Sequence, residues 1–271
     1  MERKNLKVAV IGAGNMGEAL IGGMLHAGLT SKDRIVASDA ASDRLKRITD
    51  SLGIQSVKNN LDAVRDAEVI LLAVKPQNLP AIREELQGRL TEGQLVISIL
   101  AGVPVAKLRE TLGAEPAIVR VMPNLPALIG QGMSVVAGDS AEANHIELAQ
   151  TILSTVGEVV VLPESKIDAV TALSGSGPGY VYLFIECLAE AGEAVGLPRE
   201  AARQMAIKTF VGACQLMDSS GEMPEDLRRR VTSPGGTTEA GIKAFEELGL
   251  RDTFKAALER STERARELGR G

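Results

Sequence analysis

Glycines 12, 14 and 17 fall in a G-x-G-x-x-G spacing between an apolar run, Val8–Ile11, and an amphipathic stretch. No other feature constrains the chain as much. The first glycine permits a tight turn, the second lets the backbone approach a pyrophosphate, and the third lets a helix pack closely on the strand. The helix N-terminus that follows attracts phosphate charge. The spacing alone is weakly specific, and its strand-to-helix setting gives it weight. It predicts a dinucleotide site lined by Ile11, Gly12, Ala13, Gly14, Asn15 and Met16. The alternative is a glycine-rich turn in an α/β fold that serves another ligand.

Downstream, short β-branched runs alternate with helix-like or turn-like sequence. Ile35–Ser38, Val69–Val74, Leu95–Ile99 and Ile118–Met122 follow Val8–Ile11, and Met133–Ala137 and Val159–Leu162 flank a helix near Ala141–Ser154. Such alternation predicts βαβ units and a mostly parallel, doubly wound sheet of Rossmann type. After about Pro163 strands give way to helices at Pro178–Val195, Arg199–Met217, Glu225–Val231, Glu239–Leu248 and Arg251–Leu268. The expected domains are therefore 1–163, which binds the nucleotide, and 164–271, all-helical. The helices Pro178–Val195 and Arg199–Met217 have little polar surface and must be buried on most sides. A homodimer built on them meets that need, and a monomeric bundle is the alternative.

Further cofactor contacts are expected where strands end. Asp39 lies 22 residues after Gly17, at the end of the second strand candidate. An acid there hydrogen-bonds the adenosine ribose and disfavours a 2′-phosphate. Ser38, Ser42 and Arg44 stand close by and suit a phosphate, so the choice between NADH and NADPH stays open. Asp39 also reads as a turn or helix-cap residue. Ala73-Val-Lys-Pro-Gln77, Ala101-Gly102 and Asn124 fall at the same carboxyl edge of the sheet. Lys75 either touches a phosphate or ribose or points into water, and Gly102 lets a nicotinamide approach the backbone.

Composition excludes several classes. Thirty Lys and Arg against 35 Asp and Glu give a formal charge of −5 across 271 residues, unlike a polybasic nucleic-acid binder. Four Phe, two Tyr and no Trp argue against base- or sugar-stacking sites. His26 and His145 stand in unrelated segments, so neither a zinc site nor a histidine-centred triad is expected, and no metal is assigned. Cys187 and Cys214 read as reduced core thiols. No segment approaches the ~18 uninterrupted apolar residues of a membrane span. The charged N-terminus leads into a strand rather than a cleavable signal, and a cytoplasmic, soluble protein is expected.

Two motifs belong to the helical part. Leu173-Ser-Gly-Ser-Gly-Pro178 opens the first long helix, and Val231-Thr-Ser-Pro-Gly-Gly-Thr-Thr-Glu239 opens a later one. In the second, the amides of Gly235, Gly236 and Thr237 meet a helix N-terminus, a site sized for a carboxylate, with hydroxyls from Ser233, Thr237 and Thr238. An ordinary capped turn is the alternative. With the glycine loop, these motifs resemble the pyrroline-5-carboxylate reductase family. The resemblance covers essentially the whole chain through Gly12–Gly17, Ala73–Gln77, Val121–Pro126, Asp168–Gly179 and Val231–Thr238. Gly179 replaces a commoner alanine, and Asp39 is a mild departure in a family where many members prefer NADPH.

The resemblance implies hydride transfer from NADPH or NADH to the C=N carbon of 1-pyrroline-5-carboxylate, giving L-proline. It also implies a helical domain swapped between two subunits, often within a larger assembly, with cofactor and substrate loops from different chains. Thr238 is then expected to hydrogen-bond the ring nitrogen and Ser233–Thr237 to hold the carboxylate. Asn60 is expected at the adenosine ribose, and Ala73, Val74, Lys75 and Pro76 along the cofactor. A cyclic imine can be protonated by solvent before it binds, so the lack of a catalytic histidine or carboxylate suits this chemistry. A β-hydroxyacid dehydrogenase would need a Lys and an Asn on the first long helix, and Pro178–Val195 holds neither. A nucleotide-sensing regulator without turnover leaves the second loop unexplained.

Overall fold

The alternation of apolar runs produces strands because both faces of each are covered. The computed structural model describes residues 5–270. Its elements are β1 (Val8–Ile11), α1 (Asn15–His26), β2 (Ile35–Ser38), α2 (Ser42–Leu52), β3 (Gln55–Val57), α3 (Asn60–Val64), β4 (Val69–Leu72) and α4 (Leu79–Leu86). They continue with β5 (Leu95–Ser98), α5 (Val105–Leu112), β6 (Ala117–Met122), β7 (Gly132–Ala137), α6 (Ala143–Leu153) and β8 (Gly157–Leu162). The helical part holds α7 (Ile167–Val170), a π-helical turn at Thr171–Gly175, α8 (Gly177–Ala194), α9 (Arg199–Ser220), α10 (Pro224–Arg230), α11 (Thr237–Glu247) and α12 (Leu250–Arg270).

Among the described residues the strands form one sheet in the order β3-β2-β1-β4-β5-β6-β7-β8. All neighbours are parallel except β6 and β7. The first six strands follow the order of dinucleotide-binding sheets, with the reversal between β1 and β4 where such folds take their ligands. Period-two alternation assigns each strand residue to a layer. Val8 and Val10 pack with Leu20, Ile21 and Met24 of α1, Ile48 of α2 and Ile152 of α6. Ala9 and Ile11 face the other way, into a core with Val64, Ile82, Leu86 and Leu108. Full burial of each large aliphatic side chain contributes about 1.5–3 kcal/mol, so neither layer is dispensable.

The expected strands all form, with ends shifted by a residue or two. The reading missed β3, only three residues long, whose Gln55 is exposed and whose sequence carries no apolar run. Its pairing to β2 makes it a strand.

Contacts divide the chain into two compact units, one running to Ser176 and taking in the end of α12 from Ser261, the other Gly177–Arg260. The last strand, β8, ends at Leu162. In the first unit Gly102 sits at φ +75°, and a Cβ there would lie 2.9 Å from Leu268 Cβ. This glycine is thus demanded by α12 packing, a reason the sequence did not suggest.

The second unit is helical, as expected. Phe184 stacks on Phe254 with ring centroids 5.1 Å apart. Only Ala202 and Ala206 are buried among its described residues, whereas Leu183, Met205, Leu216 and Val195 are exposed. Cys187 and Cys214 are free thiols but exposed, so the expectation of core thiols fails within a single chain. Among the described residues, nothing in one chain covers Cys187 on α8 or Cys214 on α9.

Candidate functional site

The glycine loop follows from β1 running out between two neighbours. The Gly12 N–H donates to the Ser38 carbonyl at 2.8 Å, and the Ala73 N–H donates to the Ile11 carbonyl at 2.8 Å. A Cβ on Gly12 would lie 2.5 Å from the Ala73 carbonyl oxygen, and one on Gly17 would lie 2.2 Å from the Gly12 oxygen. Both positions therefore require glycine. Around Gly14 a Cβ would meet nothing within 4 Å, so the backbone there is open to approach. Gly14 is also the N-cap of α1 and supplies no side-chain cap, leaving the first amides of the helix available to an anion. An open backbone, free amides and a helix N-terminus together fit a pyrophosphate. Ile11 and Ala13 are buried beneath this loop, Met16 is half-buried and Asn15 is exposed.

Asp39 is placed beside the same loop. Its Oδ2 accepts the Ala13 N–H at 2.9 Å and its Oδ1 accepts the Ala41 N–H at 2.8 Å. Arg44 Nη1 lies 3.5 Å from Oδ2, and the Asp39 side chain is only 7% exposed. The acid therefore clamps the glycine loop to the turn after β2, which agrees with the turn reading held beside the ribose contact. Ser38 is buried and its Oγ donates to Asn60 Oδ1 at 2.6 Å, bringing two expected cofactor residues together. The Asn60 N–H is held by Glu85 Oε2 at 3.2 Å. Ala73, Val74 and Pro76 are half-buried at the edge after β4, whereas Lys75 is exposed. Ala101 is half-buried beside the buried Gly102.

Asn124 is committed to structure. Its Oδ1 accepts the Met133 N–H at 2.9 Å, and its Nδ2 donates to Ser174 Oγ at 3.3 Å, on the π-helical turn. A related bracket was not foreseen. Arg120, 4% exposed in the middle of β6, donates from Nη2 to Asp168 Oδ1 at 3.0 Å and from Nη1 to Glu164 Oε1 at 3.4 Å. Its Nε has no partner among the described residues. Glu164 Oε1 also accepts the Val105 N–H at 2.7 Å. The available signal was a single cation inside the apolar run Ile118–Met122.

In the second unit, Gly236 is the N-cap of α11. Of the three amides expected to receive an anion, Gly236 N–H donates to the Ser233 carbonyl at 2.9 Å and Gly235 N–H donates to Glu239 Oε2 at 2.6 Å. Both are engaged within the loop, so the sequence picture of three free amides needs correction. The loop folds back on itself, with Gly235 at φ +70°. The hydroxyls of Ser233, Thr237 and Thr238 are exposed and have no hydrogen-bond partner among the described residues. A cavity of about 610 Å³ adjoins the loop, lined by Thr232, Gly235, Gly236, Glu239, Lys243 and Glu246 among others. Among the described residues no cluster of His, Cys, Asp or Glu is arranged to hold a metal.

The sheet order and glycine loop define a Rossmann-type oxidoreductase that uses a pyridine nucleotide. Residues 7–102 match the family model described as NADP oxidoreductase, coenzyme F420-dependent, and residues 164–268 match pyrroline-5-carboxylate reductase dimerisation. A pyrroline-5-carboxylate reductase of Pseudomonas aeruginosa is 44% identical, over 97% of this chain and 98% of that protein. The solved structure of a pyrroline-5-carboxylate reductase from Coxiella burnetii superposes with a TM-score of 0.89 at 34% identity, covering 98% of this chain and 99% of that one. The Plasmodium falciparum pyrroline carboxylate reductase, solved with NADP bound, gives 0.85 at 29% identity over 98% and 99%. The chain belongs to the pyrroline-5-carboxylate reductase family.

Proposed function

We propose that this chain reduces the C=N bond of 1-pyrroline-5-carboxylate to L-proline, closing proline biosynthesis. The reading is carried by one feature: unpartnered hydroxyls of Thr237 and Thr238 at an α11 N-terminus that has no side-chain cap. When bound, the reduced nicotinamide of NADPH or NADH supplies the hydride. The loop around Gly12–Gly17 holds the pyrophosphate, with Ser38, Asp39 and Asn60 toward the adenosine ribose and Ala73–Pro76 and Ala101 along the rest, while Gly102 and Asn124 shape the site through α12 packing and the Met133 and Ser174 contacts.

The Ser233–Thr237 loop holds the substrate carboxylate, and Thr238 orients the ring. Solvent protonates the imine before binding, and the Thr238 hydroxyl oxygen accepts a hydrogen bond from the iminium N–H. An iminium carbon accepts hydride readily, so placement supplies most of the acceleration and no strong acid is needed. The nitrogen then keeps its proton as the secondary amine of proline.

Self-association belongs to the same reading. The exposed apolar side chains of α8 and α9 lie within the matched dimerisation region, which supports a homodimer or a dimer-based larger assembly. Substrate and nucleotide loops from different chains then complete each site. No described helix is long and apolar enough to cross a membrane. The free thiols Cys187 and Cys214 agree with a cytoplasmic enzyme.

The direct test is oxidation of NADPH and of NADH, followed at 1-pyrroline-5-carboxylate concentrations spanning saturation. Substrate-dependent turnover is expected with at least one nucleotide, and nucleotide binding without turnover would instead identify a sensor. Thr238→Ala should lower kcat/KM at least tenfold, about 1.4 kcal/mol of transition-state stabilisation. Wild-type kinetics in that variant would remove Thr238 from the mechanism.

A further inference from the structure

Glu239 occupies a place in the substrate loop that the reaction leaves unexplained. It is the third residue of α11, where an acid ordinarily reaches back to the N-cap amide. Here that amide, Gly236 N–H, is taken by the Ser233 carbonyl, and Glu239 Oε2 reaches one residue further to Gly235 N–H at 2.6 Å. A carboxylate of the chain itself thus sits on an amide assigned to the carboxylate of the ligand. The basic side chains paired in this part of the second unit are engaged with other carboxylates. Lys243, one turn on, pairs with Glu247 at 3.8 Å, while Arg228 and Arg251 pair with Glu246. Glu239 has no salt bridge among the described residues.

An incoming carboxylate must therefore displace Glu239 or bind beside it, against like charge. A zwitterion brings its own cation and meets less repulsion than a bare anion of the same shape. L-Proline and protonated 1-pyrroline-5-carboxylate are both zwitterions. We infer that Glu239 is a specificity-determining residue that selects zwitterionic cyclic amino and imino acids over cyclic carboxylates lacking the ring nitrogen. The inference rests on reading Ser233–Thr237 as the carboxylate loop.

The test measures inhibition constants of L-proline and cyclopentanecarboxylate against pyrroline-5-carboxylate reduction, in the full-length wild type and in Glu239→Gln. Glutamine keeps an acceptor for Gly235 and removes the charge. Comparing the change across the two ligands cancels the hydrogen bond that only proline makes through its nitrogen. Glu239→Gln should tighten cyclopentanecarboxylate about five- to tenfold and proline less than twofold, with the gap narrowing at high salt. Inhibition by cyclopentanecarboxylate that emerges only in the variant also supports the inference. Equal changes for both ligands, or none, overturn it. Glu239→Ala, checked for an unaltered melting temperature, must show the same sign if charge is the cause.

Ser233→Ala separates the two layers of the argument. If it weakens both inhibitors while Glu239→Gln fails to distinguish them, the role of Glu239 falls and the carboxylate loop stands. If Ser233→Ala leaves both inhibitors untouched, the loop reading falls and takes the inference with it.

Discussion

At the residue scale, Asp39 shows how one side chain can serve two purposes. Position alone left it either at the ribose or in a turn, and its two oxygens hold the Ala13 and Ala41 amides. Removing the carboxylate therefore loosens the glycine loop as well as changing the charge near the adenosine. A hydrogen bond to a charged group contributes about 1.5–3 kcal/mol. Asp39→Ser should accordingly weaken both nucleotides about tenfold, and NADPH less than NADH, so the NADPH/NADH preference ratio rises. Fluorescence titration of each nucleotide measures this. A constant ratio with uniformly weaker binding would reduce Asp39 to a loop clamp. The glycine positions were legible because steric demand is local: Gly12 and Gly17 have no room for a side chain. The Asp39–Ala13 contact was not legible, since it joins residues 26 positions apart.

At the scale of elements, the decisive connection is between β6 and the segment that follows β8. Arg120 ties the strand to Glu164 and Asp168, and Asn124 ties its end to Ser174. Breaking a fully buried ion pair costs about 3–5 kcal/mol, but Glu164 and Asp168 are 27% and 28% exposed and can rehydrate. Arg120→Ala should thus destabilise the fold by about 2 kcal/mol in urea denaturation, with Arg120→Met milder because it refills the volume. Equal, negligible losses in both variants would show that the bracket is not structural. The strands other than β3 and the long helices of the second half were readable, because a strand buried on both faces is carried by an apolar run and a long apolar or amphipathic stretch with no Pro past its first turn continues as a helix. β3 escaped, since hydrogen bonding to β2, rather than its own composition, creates it.

At the scale of the whole molecule, the apolar helices α8 and α9 set the terms. Leu183 is 54% exposed and Met205 55% in one chain, more apolar surface than an isolated monomer normally leaves in water. Sedimentation equilibrium at micromolar concentration should return a dimer or larger species. Leu183→Glu combined with Met205→Glu should shift it toward monomer and reduce turnover together with association. A stable, active wild-type monomer would refute a shared site.

The sequence by itself determined the doubly wound sheet, the glycine loop and the helical second half. These rest on periodicity and on local backbone demands, which a single stretch of chain carries within itself. Only the tertiary structure decided what Asp39 clamps, what balances Arg120, why position 102 must be glycine and how β3 arises. Each of these depends on groups brought together by folding, whose interaction energy has no trace in the order of neighbouring residues.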